Sequence, residues 1–175
     1  DFKIGIFALK TRRFGSVAEI MIKKLYKLSE ARSLQYDKYD SENDKRIEIK
    51  FSTVLKRNNR AITEANVIAE CLNANLSNRI INYADRAKNK FDCNIQQVKC
   101  NEFDVLYYGL FFADKILIFK MSSLQVKSCP GYSNKQHYGN EGEGQFHITN
   151  DNLKYHTEHY LEKELNYKEL YNLLK

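Results

Sequence analysis

Tyr36-Asp37-Lys38-Tyr39-Asp40-Ser41-Glu42-Asn43-Asp44-Lys45-Arg46-Ile47-Glu48-Ile49-Lys50-Phe51-Ser52 reads as two short strands joined by a polar turn. Residues 41–45 are all polar, and Asn43-Asp44 suit the tight reversal of a hairpin. On the second strand Ile47, Ile49 and Phe51 fall on one face, with Arg46, Glu48 and Lys50 on the other. A four-residue loop, Ser41 to Asp44, pairs Asp40 with Lys45 and sets Asp37 opposite Glu48. Directly opposed side chains stand about 4.5–5.5 Å apart at Cβ, so two carboxylates there repel and need a cation. Lys50 is one candidate and a divalent metal the other, because oxygen ligands from two strands suit Mg2+. A solvated, charged sheet face is the plainer reading of the same tripeptide.

The arrangement resembles the PD-(D/E)xK nuclease superfamily, with type II restriction endonucleases as the nearest match. In that family an Asp begins a hairpin, and a strand about a dozen residues later carries Glu-x-Lys. Here ten residues separate Asp37 from Glu48-Ile49-Lys50, and Tyr36 occupies the place of the motif's Pro. Asp40, with seven residues between it and Glu48, is the rival for the Asp; Asp37 is preferred because seven leave a cramped hairpin. The resemblance implies Asp37 and Glu48 as ligands of one or two Mg2+ ions, the Ile49 carbonyl as a further ligand, and Lys50 at the attacking water. It also implies a helper Glu on the first helix, often within Gly-x-x-x-Glu, which Gly15-Ser16-Val17-Ala18-Glu19 fits. Ser16 to Glu19 equally forms a capping box that would start a helix at Ser16, with Val17, Ile20, Met21, Leu25 and Leu28 on its apolar face.

Length and composition bound what surrounds this stretch. The 175 residues suffice for one domain with a real core and are too few for two comfortable ones, so residues 1–175 read as a single nuclease domain. A chain that opens on Asp1 reads as trimmed. The net charge of +6 points to an anionic partner, nucleic acid first. Cys71, Cys93, Cys100 and Cys129 show no metal-finger spacing and read as reduced thiols of a cytoplasmic protein. The longest apolar run, around Val105 to Phe119, is broken by Asp114 and Lys115 and so reads as neither a signal peptide nor a membrane span.

Upstream, residues 1–13 mix apolar and basic positions and suit a short strand or an extended arm. Downstream, residues 54–90 read as an insertion with a helix near 61–74 and another near 76–90. That segment is basic and holds eight Asn. Arg reads guanine edges, Asn reads adenine edges and Lys mostly meets phosphate, so Arg57, Asn58, Asn59 and Arg60 are candidate DNA contacts. Asn94 to Lys99 reads as a strand, Glu102 to Phe112 as a helix, and Lys115 to Met121 as a buried strand. Gln96 and Gln97 are candidates to position the centre, or plain sheet-edge amides. The fold class expected is α/β with an α+β-type mixed sheet: a restriction-endonuclease-like αβββαβ core with a helical insertion.

Residues 122–147 hold four of the seven glycines and the only proline and read as loop, with a short strand near 145–148. From it Lys127 and Lys135, with Ser122, Ser123, Asn134, Gln136 and His137, could reach a groove. Asn150 to Lys175 is helical in pattern, a docked or dimer-forming helix. His156 and His159 stand three apart there, but a zinc site lacks two further ligands. The expected function is Mg2+-dependent cleavage of double-stranded DNA at a specific site by a cytoplasmic homodimer, each subunit cutting one strand. The alternatives are a non-catalytic DNA-binding protein of nuclease fold and a non-specific repair or mobile-element nuclease.

Overall fold

The computed structural model describes residues 1–57, 60–135 and 141–175. Two helices open it, α1 (Phe2–Ala8) and α2 (Thr11–Tyr26). The expected strand or arm at the start is therefore a helix. Phe2 and Ile6 stand four apart, and Ile6 and Phe7 are buried against the neighbouring helices. The expected start of the second helix at Ser16 is also overturned. Ser16 lies inside α2, its hydroxyl donating to the Arg12 carbonyl at 3.3 Å, and Lys10 takes the N-cap. Phe14 explains the earlier start: its ring packs edge-on against Phe111 at 5.0 Å, in line with buried Ala18, Met21 and Ile22. Burying that stripe outweighs a capping box.

Next come β1 (Ser29–Glu30), β2 (Lys38–Asp40) and β3 (Lys45–Thr53), the last two forming the expected hairpin with Asp40 opposite Lys45. The segment after it departs from expectation. In place of two helices it holds the six-residue α3 (Val67–Leu72) and two 3-10 turns, at Leu76–Asn78 and Tyr83–Asp85. Asn side chains are the reason. Asn66 binds Thr63 N–H and the Ala61 carbonyl, Asn75 accepts from Ser77 N–H, and Asn78 donates to the Asn73 carbonyl. Such local bonds compete with the helical ladder.

Strand β4 (Asp92–Val98) follows as expected, but residues 102–112 do not form a helix. They hold β5 (Val105–Phe111), which runs parallel to β3 and antiparallel to β6 (Ile116–Ser122). An apolar run without alternation marks a strand buried on both faces. Leu106, Tyr108 and Leu110 enter one core, Tyr107 and Phe111 the other. Gly109 has no room for a side chain: an added Cβ would strike the Leu117 carbonyl and the Phe51 ring.

The expected loop after β6 contains α4 (Ser123–Lys127), started by a Ser122–Gln125 capping box, then β7 (Ser133–Lys135) and β8 (Glu141–Thr149). The expected terminal helix is three elements, α5 (Leu153–Tyr160), β9 (Leu161–Leu165) and α6 (Tyr167–Leu174). Asn166 and Glu169 make a reciprocal cap that restarts the helix after β9.

The result is a mixed α+β fold. One sheet of six strands runs β1-β2-β3-β5-β6-β9, with β3 and β5 its parallel pair; a second runs β4-β8-β7. Helices α1, α2 and α6 cover one face of the large sheet, enclosing Ile47, Ile49 and Ile118. The small sheet covers the other, enclosing Leu106, Tyr108, Phe119, Ile95 and Phe146. Among the described residues no helix is long and apolar enough to cross a membrane. His156 is buried in the second core, where its Nδ1 shares a hydrogen bond with Tyr108 Oη at 2.8 Å, while His159 Nδ1 meets the Tyr155 carbonyl.

Candidate active site

The hairpin positions the site by being unequal. Strand β2 pairs only with residues 45–47 of β3, so among the described residues no strand is paired with the β2-side edge of β3 beyond Ile47. Asp37 stands at that point. Its N–H donates to the Ile47 carbonyl at 3.0 Å, and its carboxylate accepts the Ile49 N–H at 2.8 Å. Within a strand the N–H and C=O of one residue face the same neighbour. The Ile49 carbonyl is thus directed to the same side as Asp37, outside the β2 ladder.

Glu48 and Lys50 project from the opposite face to Ile47 and Ile49, as their alternation requires. Glu48 is only 7% exposed, and its Oε1 meets Lys50 Nζ at 2.6 Å. Burial raises the Glu48 carboxyl to about 7; Lys50 opposes the rise, while the charges of Asp37 and Glu102 add to it. Burial pulls the Lys50 ammonium down, but Glu48, Asp37 and Glu19 together overcome it and leave its pKa raised. Lys50 is therefore held as a cation.

Glu19 joins from α2. Its carboxylate lies 3.6 Å from Lys38 Nζ, and Lys38 also meets Glu30 at 3.1 Å. Burial and then the charge of Asp37 raise the Glu19 pKa, with Lys38 working against both. Asp40 is elsewhere. It caps the hairpin turn, accepting from the N–H groups of Glu42 and Asn43 at 3.1 Å and from the Asn43 amide at 2.8 Å. Of the two Asp, Asp37 is the one beside Glu48.

A cleft of about 670 Å3 adjoins this cluster, lined among others by Arg12, Glu19, Lys50, Asn94, Gln96 and Gln97. Asp37 borders a second hollow of about 550 Å3, with Arg32 and Tyr36. Gln97 adopts the left-handed backbone, φ 58°, where the pairing of β4 with β8 shifts register. This bulge breaks the alternation of β4 beside the cleft.

The donor set suits a hard divalent cation. Among the described residues no three His, Cys, Asp or Glu side chains gather as a metal-binding group. Two carboxylates, Asp37 and Glu48, and a main-chain carbonyl are all oxygen donors. Mg2+ is commonly held by one or two carboxylates, with water and substrate phosphate completing its shell. Burial raises both the Glu48 and the Glu19 carboxyls, and the charge of Asp37 adds to each rise against the opposing effect of Lys50 and Lys38.

The expected DNA contacts fall apart from one another. Arg57 is exposed and lies 3.9 Å from Asp92 at the start of β4. Arg60 pairs with Glu70 at 3.3 Å, Lys127 bonds Asn101 at 3.1 Å, and Lys135 on β7 pairs with Glu141 at 3.2 Å. Asn58, Asn59, Gln136 and His137 lie outside the described residues. Sequence reasoning passed over Lys38, which ties Glu19 to the hairpin, and Asn94, which shares the cleft wall with Gln96. The signal for Asn94 was its place two residues before Gln96 on a strand.

No model of a known protein family matches the chain, and no curated protein is significantly similar to it.

Proposed function

We propose that the chain is a Mg2+-dependent type II restriction endonuclease of PD-(D/E)xK kind, cleaving double-stranded DNA at a specific site. The observation that carries this reading is the meeting of Asp37 with Glu48-Ile49-Lys50 at the unpaired edge of β3. A buried Glu–Lys pair with a second carboxylate beside it is costly and gives weak stability in return, so a chemical role accounts for it better than a structural one. Of the αβββαβ core expected from the sequence, α2, the β2-β3 hairpin and β6 keep their places, whereas the expected second helix is β5 and the expected third strand, β4, lies in the second sheet. The net charge of +6 suits a polyanion.

Asp37, Glu48 and the Ile49 carbonyl would hold the Mg2+, and Glu19 would assist from α2. When bound, such an ion acidifies its water and offsets charge on the phosphoryl oxygens. Hydrolysis joins a water oxygen to phosphorus as the phosphorus–oxygen bond to the leaving sugar oxygen breaks; the water's proton passes to solvent, and the leaving oxygen takes one up from solvent. Lys50 stays protonated, so it orients the water or phosphate by donating a hydrogen bond and stabilises developing negative charge. It is not the base. A palindromic target would call for a homodimer with one site per strand.

Incubation with a long, sequence-diverse duplex, with Mg2+ and with EDTA, tests this. Discrete metal-dependent fragments are expected. Random cutting would indicate a non-specific nuclease, and binding without cutting by folded protein would indicate a DNA-binding module.

A further inference from the structure

We infer that the outward face of the β4-β8-β7 sheet reads base edges in the DNA major groove, with Asn94, Gln96 and Gln145 selecting A·T pairs. This rests on the nuclease reading above and adds the specificity surface to it. Cys93, Ile95, Phe146 and Ile148 point into the core, so Asp92, Asn94, Gln96, Gln145 and His147 face outward. Asn94 stands opposite His147, and Gln96 opposite Gln145, which in turn stands opposite Ser133. The outward positions of β4 and its neighbours thus form a polar field.

The field is ordered by its own bonds. The Asn94 amide donates to Gln145 at 3.0 Å and to Gln96 at 3.5 Å, and the Gln145 amide donates to the Lys135 carbonyl at 3.4 Å. His147 Nδ1 meets Asp92 at 2.6 Å. A protein partner would call for apolar anchors, which these positions lack. Amides carry a donor and an acceptor side by side, the pairing that matches N6 and N7 of adenine.

Continuity and spacing favour the groove. Asn94 and Gln96 line the same cleft as Lys50, so a duplex with a phosphate at Lys50 has its bases within reach of this wall. Residues two apart on a strand lie about 6.6 Å apart, close to two base-pair steps of about 3.4 Å. With β4 running along the groove, Asn94 and Gln96 face pairs two steps apart. Arg57 and Lys135 stand on neighbouring segments as phosphate contacts.

The test is selection of bound duplexes from a random pool by the full chain, in Ca2+ without Mg2+, for the wild type and for Asn94→Ala, Gln96→Ala and Gln145→Ala. All three side chains are at the surface, and thermal melting checks that each variant folds. The expected motif has A·T pairs at two positions two steps apart. Asn94→Ala and Gln96→Ala each relax a different one and weaken binding to the preferred site about 5- to 150-fold. An unchanged motif in the variants, or no motif with the wild type, would overturn the inference. A parallel Mg2+ digestion judges the nuclease reading separately: cleavage with unaltered specificity sinks only the surface assignment, and a relaxed motif without cleavage sinks only the nuclease.

Discussion

Asp37 accepts the Ile49 N–H at 2.8 Å, a bond that joins the start of the hairpin to the middle residue of Glu48-Ile49-Lys50. It takes the place of a ladder bond just where β2 ends. The same carboxylate adds, through its charge, to the rise that burial imposes on the Glu19 and Glu48 carboxyls. One side chain therefore closes the strand edge and loads the site with negative charge.

These two roles separate under substitution. In Asp37→Asn the amide oxygen can still accept from Ile49, while the charge is lost. Melting temperature should stay within a few degrees of wild type, with Mg2+-dependent cleavage reduced at least about 100-fold. Asp40→Asn should do the reverse, keeping cleavage and costing about 1 kcal/mol through the loosened turn. Cleavage rates and melting curves of both variants decide it, and full activity in Asp37→Asn would remove this residue from the metal site.

Glu48 makes the stability of the fold depend on pH. Its folded pKa, raised to about 7 by burial, exceeds the usual carboxyl value of 4.5. Its contribution to stability is thus fully present below about pH 4.5 and is lost as pH rises through 7. Glu48→Gln should melt above wild type at pH 8 in EDTA, and the gap should shrink toward pH 5. Added Mg2+ should raise the wild-type melting temperature and leave the variant nearly unmoved. A variant that melts lower than wild type at pH 8 in EDTA would show the buried carboxylate to be stabilising.

The hairpin and its two faces were legible because alternation over Ile47, Glu48, Ile49 and Lys50 leaves one solution, and turn length then fixes Asp40 against Lys45. Glu19 was legible as a position, although the capping box assigned to it gave way to the burial of Phe14. Residues 102–112 were not legible as a strand, because burial on both faces erases alternation and leaves an apolar run that suits a helix equally well. The helices expected over 61–90 failed because side-chain amides took over backbone bonds. The polar sheet face was hidden for another reason: it needs β8 beside β4, a pairing between residues about fifty apart.

Gly109 lies on β5 against the Leu117 carbonyl of β6 and the Phe51 ring, with no room for a side chain. Gly109→Ala would place a methyl group inside the contact distance of the Leu117 carbonyl, which the ladder cannot move aside. Destabilisation of about 3 kcal/mol or more is expected, measured by denaturant unfolding. A loss under about 1 kcal/mol would mean that the central pair relaxes more easily than its burial indicates.

His156 opposes Glu48 over the same pH range. Burial, with the charge of His159 adding, lowers its pKa from 6.5 to about 4, so the ring is neutral in the folded protein. Between those values the unfolded chain binds the extra proton, so stability is full above about pH 6.5 and falls as pH drops toward 4. The full difference is on the order of 3 kcal/mol. His156→Gln keeps an acceptor for Tyr108 and removes this pH dependence. Wild-type stability should vary little from pH 7 to 5 because the two residues partly cancel. The His156→Gln variant should gain on wild type as pH falls, whereas Glu48→Gln should lose ground to wild type over the same range. Parallel curves for wild type and the His156 variant from pH 7 to 4.5 would mean that the imidazole charges without cost inside the core.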